Sequence, residues 1–191
     1  MKNGKIRSLA FIAAVTISTG IFAQKDAKKQ AEKQNETKFE DTKLQKDVDF
    51  MVNAADDGMF EVQMAALAEK KSTDPKVKEF AAQMKKDHSK ANEELKSLAA
   101  KKNVTLPTKI SNKKQDKFDK MNKLEGKDFD DEYSEAMVSD HKDAIDMFQK
   151  EADNGKDGEM KAWAAGKIAT LKHHLQMAQD TEKAVDNNKN K

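Results

Sequence analysis

Residues 75–101 read PKVKEFAAQMKKDHSKANEELKSLAAK, and this stretch decides the fold class. Asp74 before Pro75 is typical of a helix start, because aspartate caps the first turn and proline is favoured at the first helical position. Apolar residues then recur at intervals of three and four, which places them on one face of an α-helix. The segment therefore predicts one long amphipathic helix. Its apolar stripe consists of Val77, Phe80, Ala81, Met84, Ala91, Leu95, Leu98 and Ala99, with His88 in the middle.

One more long helix is predicted before this one, at about 46–71, and two after it, at about 127–154 and 158–184. Glycine and proline are scarce in them, and their alanine, lysine, glutamate and leucine favour helix. His141 lies in the apolar stripe of the third helix and His174 near the stripe of the fourth. The neighbouring His173 points about 100° away, toward solvent. The first helix has apolar residues on more than one side, so spacing leaves its core face open.

The connection between the second and third helices, from about Asn103 to Gly126, is too long for a tight turn. It contains Pro107 and a short helix with apolar residues, and about 25 residues of this kind can run back along a helix of about 40 Å. Such a crossover distinguishes the ferritin-like variant of the four-helix bundle from the simple up-and-down one. The prediction is an all-α, ferritin-like four-helix bundle with a long helix 2 to helix 3 crossover, over residues 46–184.

The two ends of the chain have a different composition. Residues 1–23 have a basic start, an apolar run and a small residue at Ala23, the layout of a cleavable secretory signal peptide. Residues 24–45 are polar and charged in both signs, which predicts a disordered or loosely helical charged leader. Residues 185–191 are predicted to be a frayed tail. An exported protein of the periplasm or outer membrane is expected, with no membrane span after signal cleavage.

Composition excludes several classes of function. The chain has no cysteine, which rules out disulfides and thiolate metal sites. Residues 1–23 carry three basic and no acidic side chains, so their removal changes the formal net charge from +2 to −1. That balance does not favour nucleic acid, and envelope proteins are the expected partners. No nucleophile triad, phosphate loop or cofactor fingerprint occurs, which argues against an enzyme.

The histidines carry the strongest functional signal. His88 stands in MKKDHSKA, residues 84–91, and His141 stands in the matching MVSDHKDA, residues 137–144. Because both lie near the middle of long helices, as do His174 and Glu61, these side chains are expected to meet in one layer of the bundle. The predicted metal ligands are Glu61, His88, His141 and His174, with zinc, iron, manganese or copper as the ion.

Four further residues are predicted to surround the ligands. Asp87 and Asp140 precede histidines and are expected to accept a ring N–H from a histidine of an adjacent helix. Met84 and Met137 lie one turn before the histidines and are expected to border the site, which would favour copper. The Glu-x-x-His pairs of di-iron proteins are missing, because Lys85, Val138 and Leu171 stand three residues before the histidines. A mononuclear site is therefore favoured over a ferroxidase centre.

The alternative is that the histidines are packed core residues without a metal. Two hypotheses stay open: an exported metal-binding bundle in metal handling or envelope stress, and a metal-free structural or protein-interaction module. A redox enzyme on the same fold is the weaker third.

The paired Asp-His motifs and the late LKHHLQMA, residues 171–178, also resemble the bacterial domain-of-unknown-function family 4142 over nearly all of residues 47–180. This resemblance implies a ferritin-like helical fold and an outer-membrane location. It matches Asp87, His88, Asp140, His141 and His174 to the positions characteristic of the family, and it implies no activity.

Overall fold

The computed structural model describes residues 26–40 and 42–189, with side chains up to residue 187. The predicted signal peptide, residues 1–23, lies outside the described residues. Those described fold into helices without any strand, so the all-α prediction is confirmed. The helices are α1 (Ala27–Phe39), α2 (Gln45–Lys71), α3 (Pro75–Lys101), α4 (Asn112–Met121), α5 (Gly126–Asn154) and α6 (Gly158–Lys189).

Helix starts follow the capping residues in the sequence. The Asp74 carboxylate accepts a hydrogen bond from Lys76 N at 2.7 Å, and Pro75 opens α3 as predicted. Ser111 caps α4, and Asp157 caps α6 by accepting from the amides of Glu159 and Met160. These side chains satisfy amide groups that have no partner inside the helix, and so they fix where each helix begins.

The four long helices pack side by side. Short connections make α2 with α3, and α5 with α6, into two antiparallel hairpins. Lys102 at the end of α3 forms an ion pair with Asp157 at the start of α6. Asp47 at the start of α2 accepts from the amides of Lys156 and Asp157, just after α5 ends. Where the two hairpins pack together, α3 therefore runs antiparallel to α6, and α2 runs antiparallel to α5.

The α3–α5 connection runs the length of the helices. It leaves α3 beside the start of α2 and reaches α5 beside the other end of α2, where Lys71 Nζ donates to Leu124 O at 3.0 Å. Midway, the buried Asp56 carboxylate accepts from Ser111 N at 2.6 Å and Ser111 Oγ at 2.9 Å. Because this connection and α1 cover α2 on its outer side, α2 is buried on more than one face, which its sequence had left open.

Two apolar clusters fill the interior, one toward each end of the long helices. One contains Phe60, Phe80, Met84, Phe129, Tyr133 and Met137. The other contains Val48, Met51, Leu95, Phe148, Met160 and Leu171. Along α3, α5 and α6 the histidines fall between residues of these two clusters. The polar layer thus lies mid-length, with a packed core on either side.

Composition predicts a disordered or loosely helical leader for residues 24–45, and the structure has a helix there that is packed rather than loose. This helix is α1, which packs on α2 with Ala27 and Ala31 buried. The buried Asn35 donates to Thr105 O and accepts from Thr105 N, both at 2.8 Å. The paired amide satisfies the backbone of the α3–α5 connection, so a helix with little apolar surface is still held in place.

The carboxyl-terminal end also differs from its prediction as a frayed tail from residue 185. Helix α6 continues to Lys189, and Val185 is 5 % exposed within the first cluster. Val185 therefore lies in the packed core and not in a solvated tail. Among the described residues, no helix combines the length and apolar character needed to cross a bilayer.

Candidate metal centre

Three imidazoles from three helices meet in the polar layer. His88 of α3, His141 of α5 and His174 of α6 each place a ring nitrogen within 4.8 Å of one from each of the other two. Their ring centroids are 5.2–5.8 Å apart. His141 and His174 are each 1 % exposed, whereas His88 is half-buried with its Nε2 inaccessible. His173 is exposed, as predicted.

Hydrogen bonds fix which ring nitrogens carry a proton. His141 Nδ1 lies 2.8 Å from Met137 O, a carbonyl that can only accept, so this nitrogen is the donor. His174 Nε2 lies 2.9 Å from Asp87 Oδ2 and donates to that carboxylate. The buried ring nitrogens without a hydrogen-bond partner are His141 Nε2, His174 Nδ1 and His88 Nε2, and the first two have a free lone pair. Such atoms are uncommon in a folded protein and call for a ligand.

Burial keeps all three rings neutral. Desolvation lowers the pKa of His88 to about 3 and that of His141 to about 4. Desolvation also lowers the pKa of His174, although the Asp87 carboxylate opposes part of that shift. A neutral imidazole is the form that binds a metal ion, so the cluster is competent at neutral pH without releasing protons.

The spacing is close to that of a metal site. Zinc–imidazole bonds of about 2.0–2.1 Å in tetrahedral geometry place ligand nitrogens about 3.3 Å apart. The rings must therefore close from a separation of up to 4.8 Å. Rotation about the side-chain torsions of the histidines can produce a movement of this size, about 1.5 Å at most between two nitrogens. The Asp87–His174 pair is the carboxylate–histidine arrangement that orients metal-bound imidazoles in known sites.

The comparisons with known proteins come to one finding. The model of the family described as Domain of unknown function (DUF4142) matches residues 28–181. The chain belongs to this family. No curated protein matches it, and no solved structure does. The resemblance stated from the sequence is thereby confirmed.

The fourth ligand predicted for this DUF4142 chain, Glu61, is not part of the histidine group. It lines the same cavity and is 6 % exposed, with Oε2 unpaired. Desolvation and then the nearby charge of Asp140 raise its pKa to about 8. Near neutral pH and without a metal ion, the Glu61 carboxyl is therefore largely protonated, and a metal that bound there would displace the proton. Its role as a ligand stays a prediction.

Of the four residues predicted to surround the ligands, Asp87 contacts a histidine ring, whereas Asp140, Met84 and Met137 have other surroundings. Asp87 accepts from a histidine of an adjacent helix, which is the geometry expected of it. Asp140 lies 3.5 Å from Lys117 Nζ, an ion pair with the connection rather than a bond to a ring. Met84 and Met137 are fully buried in the first apolar cluster and are not among the described residues that line the cavity. The preference for copper that depended on their thioethers loses its support.

A cavity of about 460 Å³ adjoins the histidines. Its charged lining includes Lys114 and Lys117 of α4, which sequence reasoning missed. Lys114 pairs with Asp57 at 2.7 Å. Burial works to lower the pKa of Lys114, but the carboxylates around it raise it overall. The three-residue spacing of Lys114 and Lys117 on one face of a short helix was the only signal for them in the sequence.

An aromatic wall of the cavity was also missed. Trp163 of α6 and Phe148 of α5 line it, with ring centroids 5.5 Å apart. Both rings belong to the apolar stripes of their helices, so the sequence pattern predicts them to be core residues. Trp163 lies eleven residues before His174 on the same helix, close to three helical turns. That register was the available sign that the ring faces the same side as the histidine.

Proposed function

We propose that this protein binds a single transition-metal ion through His88, His141 and His174. One observation carries the proposal: three neutral imidazoles from three helices converge with an unpaired, buried nitrogen on each. A purely structural cluster would be expected to satisfy those nitrogens, since burying them unpaired costs about 1–3 kcal/mol each. A metal ion supplies the missing partner for all of them at once.

The donor set indicates the class of ion. Three imidazoles and an open position suit zinc or copper, and cobalt serves as a spectroscopic substitute for zinc. Iron and manganese sites usually include carboxylate ligands, and Glu61 lies outside the group of three histidines. Zinc or copper is therefore the ion of choice, while iron or manganese would need Glu61 to join the three histidines as a ligand.

The fold that holds the site is, in this proposal, a ferritin-like four-helix bundle. The antiparallel arrangement of α2, α3, α5 and α6 and the lengthwise connection that carries α4 support it. Each of α3, α5 and α6 contributes one histidine at mid-length. The bundle thus provides rigid elements that hold the ligands within a small distance of their bound positions.

We further propose that the protein is exported and acts in metal handling or stress protection in the cell envelope. The basic start, the apolar run and the small residue at Ala23 within residues 1–23 support this. Binding without turnover is the expected activity. The alternative is a metal-free structural or protein-interaction module, and the following experiment distinguishes the two.

The experiment is metal analysis of untagged protein that has been stripped with chelator and dialysed against zinc or copper. The proposal expects about one tightly held ion per chain, the stoichiometry of a single site. His88→Ala, His141→Ala and His174→Ala should each abolish retention, while the exposed His173→Ala serves as the matched control and should retain the ion. Wild-type protein that retains neither metal would leave the metal-free module as the function.

A further inference from the structure

The cavity beside the histidines is larger than a site for water or a small ion needs. It measures about 460 Å³, within the range of about 300–1,000 Å³ that accommodates small organic ligands. Its apolar lining includes Phe148, Trp163, Leu171 and Ala144, which pack in one cluster, and the methyl group of Ala91. An apolar wall and a polar inner end are the usual features of a pocket that orients an organic molecule.

The charges around the cavity are mostly neutralised within the protein. Asp57 and Asp140 pair with Lys114 and Lys117 at 2.7 and 3.5 Å. The Asp56 carboxylate is occupied by two hydrogen bonds from the start of α4. These acidic groups therefore present little free negative charge to a ligand. The lining also includes the exposed Lys90 and Lys113 and one exposed carboxylate, Asp143.

A divalent ion bound by the three histidines would keep a positive charge that the cluster does not compensate. Neutral imidazoles do not cancel the charge of a divalent ion, and a buried charge is costly unless it is paired. Asp87 supplies one carboxylate, through His174. Three protein ligands leave one position of a tetrahedral ion open. Glu61, 6 % exposed, lines the cavity with an unpaired Oε2 that is available to a ligand bound there.

We infer that the cavity binds a small organic carboxylate, whose carboxylate group takes the open position on the metal and whose apolar body lies against Phe148 and Trp163. This inference rests on the proposed metal site. The carboxylate supplies the negative charge that the imidazoles lack. The aromatic wall supplies the affinity that distinguishes an organic acid from an inorganic anion of the same charge.

The test uses full-length mature protein loaded with cobalt(II), whose visible absorption reports on changes in its ligands. Benzoate, azide and uncharged benzamide are titrated separately. Benzoate should shift the cobalt spectrum at lower concentration than azide, and benzamide should leave the spectrum unchanged. A shift with azide but none with benzoate would overturn the inference, as would no shift with either anion.

Two variants examine the apolar wall. Ala91→Leu fills the cavity one helical turn from His88 and should weaken benzoate binding about tenfold or more, while azide binding changes little. Ala165→Leu, at an exposed position outside the lining, is the matched control and should behave as wild type. Trp163→Ala removes the wall instead and should also weaken benzoate selectively. Equal benzoate affinity in wild type and both wall variants would contradict the inference.

Failure of this inference and failure of the metal site are distinguishable. Protein that takes up no cobalt overturns the proposed function, and the ligand inference with it. Protein that takes up cobalt through the three histidines but shows no benzoate response loses only the organic ligand. Uptake is measured by elemental analysis before any anion is added, so the two results are independent.

Discussion

His174 of α6 donates a hydrogen bond of 2.9 Å from Nε2 to Oδ2 of Asp87 on α3. This contact joins the last helix to the second long helix at the height of the cluster. It also selects Nδ1 of His174 as the nitrogen with the free lone pair. Hydrogen bonds from His174 and Gln83 outweigh the effect of burial and lower the pKa of Asp87, so it is the ionised partner. Ring orientation and negative charge thus come from one residue.

Asp87→Asn should weaken metal binding about 10- to 100-fold, the usual cost of losing such an outer partner. The amide can still accept from the His174 ring, but it lacks the charge that raises the basicity of the imidazole. Competition titration with a chromophoric chelator measures the change. Asp143→Asn, at an exposed carboxylate lining the same cavity, is the control. Affinity equal to wild type in Asp87→Asn would show that the charge has no part in binding.

Glu151 makes the stability of the protein depend on pH. Its side chain is 6 % exposed with Oε1 unpaired, and desolvation followed by the nearby Asp47 raises its pKa to about 7. A folded-state pKa above the unfolded value means that the folded protein binds more protons between the two values. Stability from this group is therefore full below about pH 4.5 and is lost as pH rises through about 7.

Glu151→Gln should remove the part of the pH dependence that Glu151 contributes, while the parts due to Glu61 and the buried histidines remain. From pH 5 to pH 8 wild type is expected to lose up to about 3 kcal/mol through this group, and the variant should lose less. Urea unfolding of metal-free protein at several pH values measures the difference. Glu135→Gln, at an exposed position of the same helix, should follow wild type. A parallel loss in Glu151→Gln and wild type would mean that Glu151 does not titrate in this range.

Asp56 fastens the α3–α5 connection to α2. It is 2 % exposed and accepts two hydrogen bonds from Ser111, at 2.6 and 2.9 Å. Asp56→Ala leaves those buried donors unpaired and should lower the free energy of unfolding by about 2–4 kcal/mol. Asp57→Ala, which removes a partly exposed ion pair with Lys114, should cost about 1 kcal/mol or less. Equal effects of the two substitutions would refute the anchoring role of Asp56.

Asn35 holds α1 against the rest of the protein. Its two hydrogen bonds with Thr105 are among the few polar contacts that bridge α1 and the connection. Asn35→Ala should open α1 locally, because the helix buries few apolar side chains of its own. Hydrogen exchange should then be faster across Ala27–Phe39 and unchanged in α3 and α5. Protection of α1 as strong as in wild type would show that alanine and lysine contacts suffice to hold it.

The histidine layer and the helices were predictable because each follows from local periodicity. His88 and His141 repeat in the same frame of an apolar stripe, and stripes of helices packed side by side must face one another. Glu61 was harder to place because α2 is covered on several sides. When neither face is solvated, spacing along the helix does not reveal which neighbour a given side chain meets.

The contacts of α1 and of the connection could not be deduced, because they depend on residues far apart in the chain. Asn35 reads as one more polar residue of a charged leader until Thr105 is placed beside it. Asp140 stands in the same motif position as Asp87, yet α4 brings Lys117 to it instead of a ring. The same motif position therefore led to different partners, since the elements that neighbour the two motifs differ.

The most direct test of the metal site is the ring ¹⁵N spectrum of the histidines, recorded by long-range ¹H–¹⁵N correlation before and after one equivalent of zinc. In metal-free protein His141 should be neutral with its proton on Nδ1, and His174 neutral with its proton on Nε2. Zinc should then shift His141 Nε2, His174 Nδ1 and one nitrogen of His88 together, leaving His173 unchanged. Zinc that shifts His173 alone, or none of the four rings, would contradict a metal site at the centre of the bundle.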